Sequence, residues 1–241
     1  MSSSILQNLP ELPISKPWGW EIEVWRSTDV AITYLHMVEG KSTSLHCHPN
    51  KRTGYVVVKG EVEVEFLAGK KHYKAGSRVN FRPCLFHRTK ALTDETILLE
   101  LESPPDKMDL IRLEDSSNRK TSQYEEETTE ISSNSSLRLS LIRQALHDQL
   151  ADFLQINDIG VAAKACLSTP RKILDHYNDS IILSPADKGI SVKNLKQITG
   201  NKLIIQPGDV TTVGDLRRMS SILDVDNEMN FLLLNFNYGR E

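Results

Sequence analysis

Gly40 is followed after five residues by His46-Cys47-His48, after four more by Thr53 and after six more by Gly60; farther on, His87 stands eleven residues beyond Gly76. The residues around His46 read as a β-strand. Side chains alternate faces along a strand, so His46 and His48 point one way and Cys47 the other. A third imidazole arriving from a distant strand would complete a cluster on one inner face. A lone His-x-His is a weak signal, and any single histidine is more often a satisfied core or surface residue. The two spacings together point to a site. Neutral imidazole suits Zn, Fe, Cu and Ni.

Around this feature, residues 20–102 read as all-β. Ala31–Met37 is rich in strand formers. Tyr55-Val-Val-Val58 leads through Lys59-Gly60 into Glu61–Phe66, where Val62, Val64 and Phe66 alternate with three glutamates. Ala68–Lys71 and Lys74–Ser77 read as turns, the first closing a hairpin. Ser77–Phe81, Phe86–Lys90 and Thr96–Glu102 read as further short strands. Many short strands at close spacing predict a sandwich or a closed barrel.

Residues 115–136, DSSNRKTSQYEEETTEISSNSS, are nearly devoid of apolar side chains and carry Glu125, Glu126, Glu127 and Glu130. They read as a flexible, solvated linker. Beyond it, Leu139, Ile142, Leu146, Leu150 and Phe153 form one helical stripe, predicting an amphipathic helix over 137–155 capped by Ser135 or Ser136. Strand candidates 181–183, 203–205 and 231–234 alternate with helical stretches near 190–198 and 212–223. The expected organisation is an N-terminal arm (1–15), a β-barrel domain (16–114), a polar linker (115–136) and a small α/β domain of unknown role (137–241).

The net charge of −3 supplies no basic field for nucleic acid. No apolar run approaches a membrane span, and the first residues lack the features of a signal peptide. Cys47, Cys84 and Cys166 are odd in number and widely spaced, and read as free thiols in a reducing cytoplasm.

Residues 16–119 resemble the cupin family, whose two motifs are matched by the two spacings quoted above. More narrowly, they are similar to the cupin domain of bifunctional mannose-1-phosphate guanylyltransferase/mannose-6-phosphate isomerase enzymes. The similarity rests on the opening Lys16-Pro-Trp-Gly-Trp-Glu21, on Ser44-Leu45, on Val56-Val-Val-Lys-Gly60 and on Asp109-Leu-Ile-Arg-Leu-Glu-Asp115. The resemblance implies an all-β jelly-roll barrel, here followed by a smaller α/β region, and a homodimer. It also implies a divalent metal (Zn, Fe, Mn or Ni) held by His46, His48 and His87. The family's motif places a glutamate where this chain has Thr53. Arg82, Cys84 and Ala91 replace its usual proline, glycine and asparagine. Loss of the carboxylate leaves a metal-free barrel as an open alternative; a threonine hydroxyl is a poor ligand but can orient a water.

The implied ligand is a sugar phosphate or nucleotide sugar of polysaccharide precursor metabolism. Aldose–ketose isomerisation requires a polarised carbonyl, a base and a cation for the phosphate. Arg82 is the first candidate for the phosphate and Lys51 the second, while Arg88 should point away from His87. Thr53 and Tyr55 are further ligand-facing candidates, Tyr55 forming an apolar wall with Trp18 and Trp20. No carboxylate stands out as the base. Two other readings stay open: a three-histidine Fe(II) dioxygenase, and a sugar-binding or regulatory barrel without catalysis. Toward the C-terminus, Asp209, Asp215, Arg217 and Arg218 could meet a phosphate at a helix end, though a solvated turn is the simpler reading.

Overall fold

A computed structural model describes residues 9–117, 119, 124–148, 150, 152–187, 189–191 and 203–236. The first eleven strands are β1 (Ile14–Lys16), β2 (Gly19–Arg26), β3 (Ala31–Met37), β4 (Leu45–Cys47), β5 (Arg52–Lys59), β6 (Glu61–Phe66), β7 (Gly69–Lys74), β8 (Arg78–Phe81), β9 (His87–Ala91), β10 (Thr96–Ser103) and β11 (Ile111–Glu114). They form two antiparallel sheets, ordered β1-β2-β3-β10-β5-β8 and β11-β4-β9-β6-β7. Chain neighbours repeatedly sit in opposite sheets, the double-sheet jelly-roll arrangement. The expected strand Ala31–Met37 and the alternating strand Glu61–Phe66 form with those bounds.

The remaining elements are α1 (Ser133–His147), β12 (Leu154–Ile156), β13 (Val161–Ser168), α2 (Pro170–His176), β14 (Ile182–Pro185), β15 (Ile190–Ser191), β16 (Leu203–Ile205), β17 (Thr211–Thr212), α3 (Val213–Met219) and β18 (Met229–Asn235). Strands β12-β13-β18-β14-β17 make a third antiparallel sheet, and β15 pairs with β16. The α/β character expected after the linker is present. Helix α1 starts earlier than the apolar stripe suggests, because Ser132 is the cap: its side chain accepts the Ser135 N–H. It ends at His147, short of 155, and Leu154 enters a strand. The helix expected near 190–198 begins at the strand residues Ile190–Ser191 and otherwise lies outside the described residues. No described helix is long and apolar enough to cross a membrane.

Three apolar clusters organise the chain. One lies between the two sheets of the barrel, with Val57, Val62, Val64, Phe81 and Leu98. The second lies outside the first sheet. There Ile22 and Val24 of β2, Ile32 and Tyr34 of β3, Val56 and Val58 of β5, and Ile97, Leu99 and Leu101 of β10 pack against the C-terminal region. The covering residues are Leu139, Ile142 and Leu146 of α1, Ile156, Val161, and Leu232 and Leu234 of β18. The third joins the other face of the third sheet, through Phe231 and Leu233 of β18, to Ile173 and Leu174 of α2 and Val213 and Leu216 of α3. Strand β18 is thus apolar on both faces because both are covered.

Polar ties add to this seam. Asn80 Nδ2 donates to the Val210 carbonyl at 2.9 Å and its Oδ1 accepts the Val210 N–H at 2.8 Å. Arg52 Nε donates to Gln206 Oε1 at 2.5 Å, and Arg78 pairs with Asp215. At the tightest approach, a Cβ on Gly54 would lie 2.5 Å from the Gly208 carbonyl oxygen. Asp215 also receives the Thr212 hydroxyl, and the Thr212 side chain caps α3. The Asp209–Asp215 region therefore holds the two parts of the chain together.

Candidate metal centre

His46 on β4 pairs directly with His87 on β9, and His48 is the residue immediately after β4. Pleat alternation carries 46 and 48 to one face and the ladder brings 87 beside them. One ligand atom from each residue lies within 4.8 Å of the others, and all three residues are buried. Every Nδ1 meets a backbone carbonyl: His46 to Ser44 O at 2.8 Å, His48 to Asp109 O at 2.7 Å and His87 to Leu85 O at 2.9 Å. A carbonyl only accepts, so Nδ1 carries the proton in each ring and Nε2 presents its lone pair. Two of those nitrogens, His48 Nε2 and His87 Nε2, are buried without a protein partner. Phe81 stacks on the His87 ring at 3.9 Å and fixes its plane.

The electrostatics agree with a lone-pair role. Burial is the largest influence on each ring and disfavours the imidazolium. His48 is lowered to about 3 and His87 to about 4, with the Lys51 ammonium adding to both. His46 lies well below its ordinary value, through burial and then its two histidine neighbours. Three neutral imidazoles with converging acceptors fit a divalent metal, whose bonds to histidine are about 2.1 Å long, after a small inward tilt of the rings. Backbone carbonyls on the outer nitrogens are the usual supports of such ligands. Thr53 is buried on β5 and its hydroxyl has no protein partner.

A cavity of about 80 Å³ opens from His46 and His48 toward the barrel mouth. Its wall carries Lys16, Lys51, Lys107, Arg112 and Arg119, opposed by Glu21, Glu100, Glu102 and Glu125. Lys51 Nζ lies 2.5 Å from Glu102, and Lys107 Nζ 3.0 Å from its other oxygen. Burial pushes the Glu102 carboxyl up, but the two ammonium groups together outweigh it and bring it to about 2. Glu100, two residues back on the same face of β10, behaves oppositely. Burial dominates, the charge of Glu102 adds to it, and the carboxyl rises to about 7. Tyr55 is its cross-strand partner, and its phenol is pushed up by burial and then by Glu100.

Of the expected ligand-facing residues, Lys51 and Tyr55 line this cavity with His46 and His48; Thr53 and His87 do not. Trp18 lines it too, whereas Trp20 is on the outer face, stacked on His36 at 4.9 Å and Tyr34 at 5.3 Å. Arg82, the first phosphate candidate, is exposed and outside the lining. Arg88 turns away to Glu65 and Glu114. Cys47 is buried and Cys84 exposed. The sequence reading missed Glu100, Glu102, Lys107, Lys16 and Glu21. The alternation of Leu and Glu in Thr96–Ser103 was the available signal, with the glutamates on the inner face.

No protein-family model matches the chain, and no curated protein matches it. Solved structures do. KdgF from Halomonas sp. aligns at 20% identity over 42% of this chain and 91% of its own, with a TM-score of 0.37. A protein with a double-stranded β-helix domain from Klebsiella pneumoniae aligns at 21% over 44% of this chain and 87% of its own, with a TM-score of 0.36. The capsular polysaccharide assembling protein CapF from Staphylococcus aureus aligns at 18% over 44% of this chain and 34% of its own, with a TM-score of 0.39.

Proposed function

We propose that this protein holds a divalent metal through His46, His48 and His87 and binds or isomerises an anionic sugar, a sugar phosphate or nucleotide sugar, in the manner of mannose-6-phosphate isomerases. The observation that carries the reading is the convergence of three proton-free Nε2 atoms, two of them on histidines that line a cavity rich in lysine and arginine. Lysine and arginine side chains are rarely buried unless they meet anions.

The residues divide the work by position. Lys51 and Lys107 reach into the cavity and place positive charge beside a bound anion. Trp18 and Tyr55 supply apolar faces for a sugar ring. A carboxyl held near 7 is suited to take a proton from one sugar carbon and return it to the next, and Glu100 is such a group. Tyr55 opposes it across the ladder and keeps it oriented. A metal at the three histidines supplies Lewis acidity toward a carbonyl oxygen. The same reading includes a homodimer in the cytoplasm, which light scattering and localisation of a tagged chain would check.

The test is elemental analysis of untagged protein beside a His46→Ala/His48→Ala variant. Near-stoichiometric zinc, iron, manganese or nickel, lost in the variant, is the expected result. Interconversion of mannose 6-phosphate and fructose 6-phosphate that falls about 10²-fold or more in Glu100→Gln would support the isomerase assignment. A protein that takes up no metal even on reconstitution refutes the reading.

A further inference from the structure

The acidic linker does not stay in solvent along its whole length. Residues 127–129 run beside β1: Ser15 N–H donates to the Glu127 carbonyl at 2.7 Å, Thr129 N–H to the Pro13 carbonyl at 2.9 Å, and Ile14 bridges Thr128. Just upstream, Tyr124 and Glu125 line the cavity, while Glu126, between them and the paired stretch, is exposed. The Tyr124 hydroxyl bonds Glu21, and the Lys16 ammonium sits 3.5 Å above the Tyr124 ring. The Glu125 carboxylate lies 2.8 Å from Lys16 Nζ and 2.5 Å from Arg119 Nη1. The Lys16 side chain is only 3% exposed.

Two features set Glu125 apart from the other cavity carboxylates. Glu21, Glu100 and Glu102 belong to barrel strands, whereas Glu125 is carried in on a separate strap. That strap is one layer thick, since Tyr124 and Glu125 line both the cavity and a shallow hollow on its outer side. With Glu125 withdrawn, five cationic side chains of the lining face three of its carboxylates; Lys16 keeps Glu21 at 3.6 Å and Arg119 keeps Asp115 at 2.8 Å, and each loses the anion that Glu125 supplies. The enclosed space also falls short of the roughly 300–1,000 Å³ of a small-molecule site, and moving the strap is what would enlarge it.

We propose that Lys16 and Arg119 form an anion subsite for the charged end of the ligand, and that Glu125 is its built-in competitor. The ligand is a carbohydrate bearing a phosphate or carboxylate, and it enters as Tyr124 and Glu125 swing out. Only the carbohydrate part rests on the function proposed above; the anion subsite stands on the Glu125 contacts themselves. A strap docked in about nine molecules of ten weakens apparent affinity about tenfold.

The experiment is calorimetric titration of the full chain and of Glu125→Gln with inorganic phosphate, mannose 6-phosphate, glucuronate and uncharged mannose. The expected result is binding of the anionic probes about tenfold tighter to E125Q than to wild type, with mannose unchanged. Adding Lys16→Gln to E125Q removes the gain. Tyr124→Phe, which loses the bond to Glu21, moves affinity the same way as E125Q and covers the case of a poorly folded E125Q. Equal affinities in wild type, E125Q and Y124F overturn the proposal, as does phosphate binding to none of them. If phosphate responds to E125Q while no sugar probe binds, the subsite stands and the sugar reading falls. If mannose 6-phosphate binds wild type and E125Q alike, the sugar reading stands and the subsite falls.

Discussion

Glu102 offers the sharpest test of the cavity's electrostatics. Its carboxylate is fully buried between Lys51, itself buried, and Lys107. Glu102→Gln keeps the shape and removes the charge. Two routes give the cost. Breaking a buried pair from one side costs about 3–5 kcal/mol, because the partner charge is stranded. Independently, a carboxyl brought from 4.5 down to about 2 contributes about 3 kcal/mol at neutral pH, at 1.36 kcal/mol per unit. The group's folded value is depressed, so its contribution is complete above pH ~4.5 and disappears as pH falls through about 2. Urea unfolding of wild type and E102Q should therefore differ by about 3 kcal/mol at pH 7, and the gap should narrow below pH 4.5. Glu100 limits the loss: without Glu102 its own value falls and it can ionise beside the lysines. The double variant E100Q/E102Q should then cost more than the two single effects combined. A gap under about 1 kcal/mol at pH 7, or one that persists unchanged toward pH 3, would refute the account of the cavity as a compensated ion cluster.

Three further outcomes follow from the same geometry. Glu100 is raised to about 7 by burial first, so wild-type stability should fall as pH rises from ~4.5 to ~7; Glu100→Gln should flatten that slope and gain about 2–3 kcal/mol at pH 8, read by denaturant titration across pH. Gly54→Ala places a methyl 2.5 Å from the Gly208 backbone oxygen, and should cost about 1–3 kcal/mol or more, measured as a lowered Tm. Leu101→Ala hollows the cluster shared by β10 and the C-terminal region at about 2–5 kcal/mol; calorimetry should show one transition moving down as a whole, and a lower transition splitting off from an unmoved one would count against a shared core.

The strand pattern was legible because its cause is local. Alternation places His46 and His48 on one face whatever surrounds them, and β-branched runs bounded by turn residues mark β3, β5 and β6. The capping of α1 was read one turn too late, since three more serines (Ser133, Ser135 and Ser136) follow Ser132 within four residues and only the fold selects among them. Arg82 looked suited to an anion by its nearness to His87 in the chain, but its loop carries it to the surface.

What the sequence determined by itself is several of the central strands and the shared face of two histidines, because these follow from the period of the backbone and the chemistry of single residues. Only the tertiary structure decided which face of each strand is inside. On β10, Ile97, Leu99 and Leu101 look like the inner face, yet they point outward into the C-terminal region, and Glu100 and Glu102 line the cavity. A strand buried on both sides carries no polar solvent face to mark its orientation. The docking of Tyr124 and Glu125 was equally invisible: their partners Glu21 and Lys16 lie 103 and 109 residues away, and a contact at that distance depends on how the whole chain closes, not on the composition of the segment that makes it.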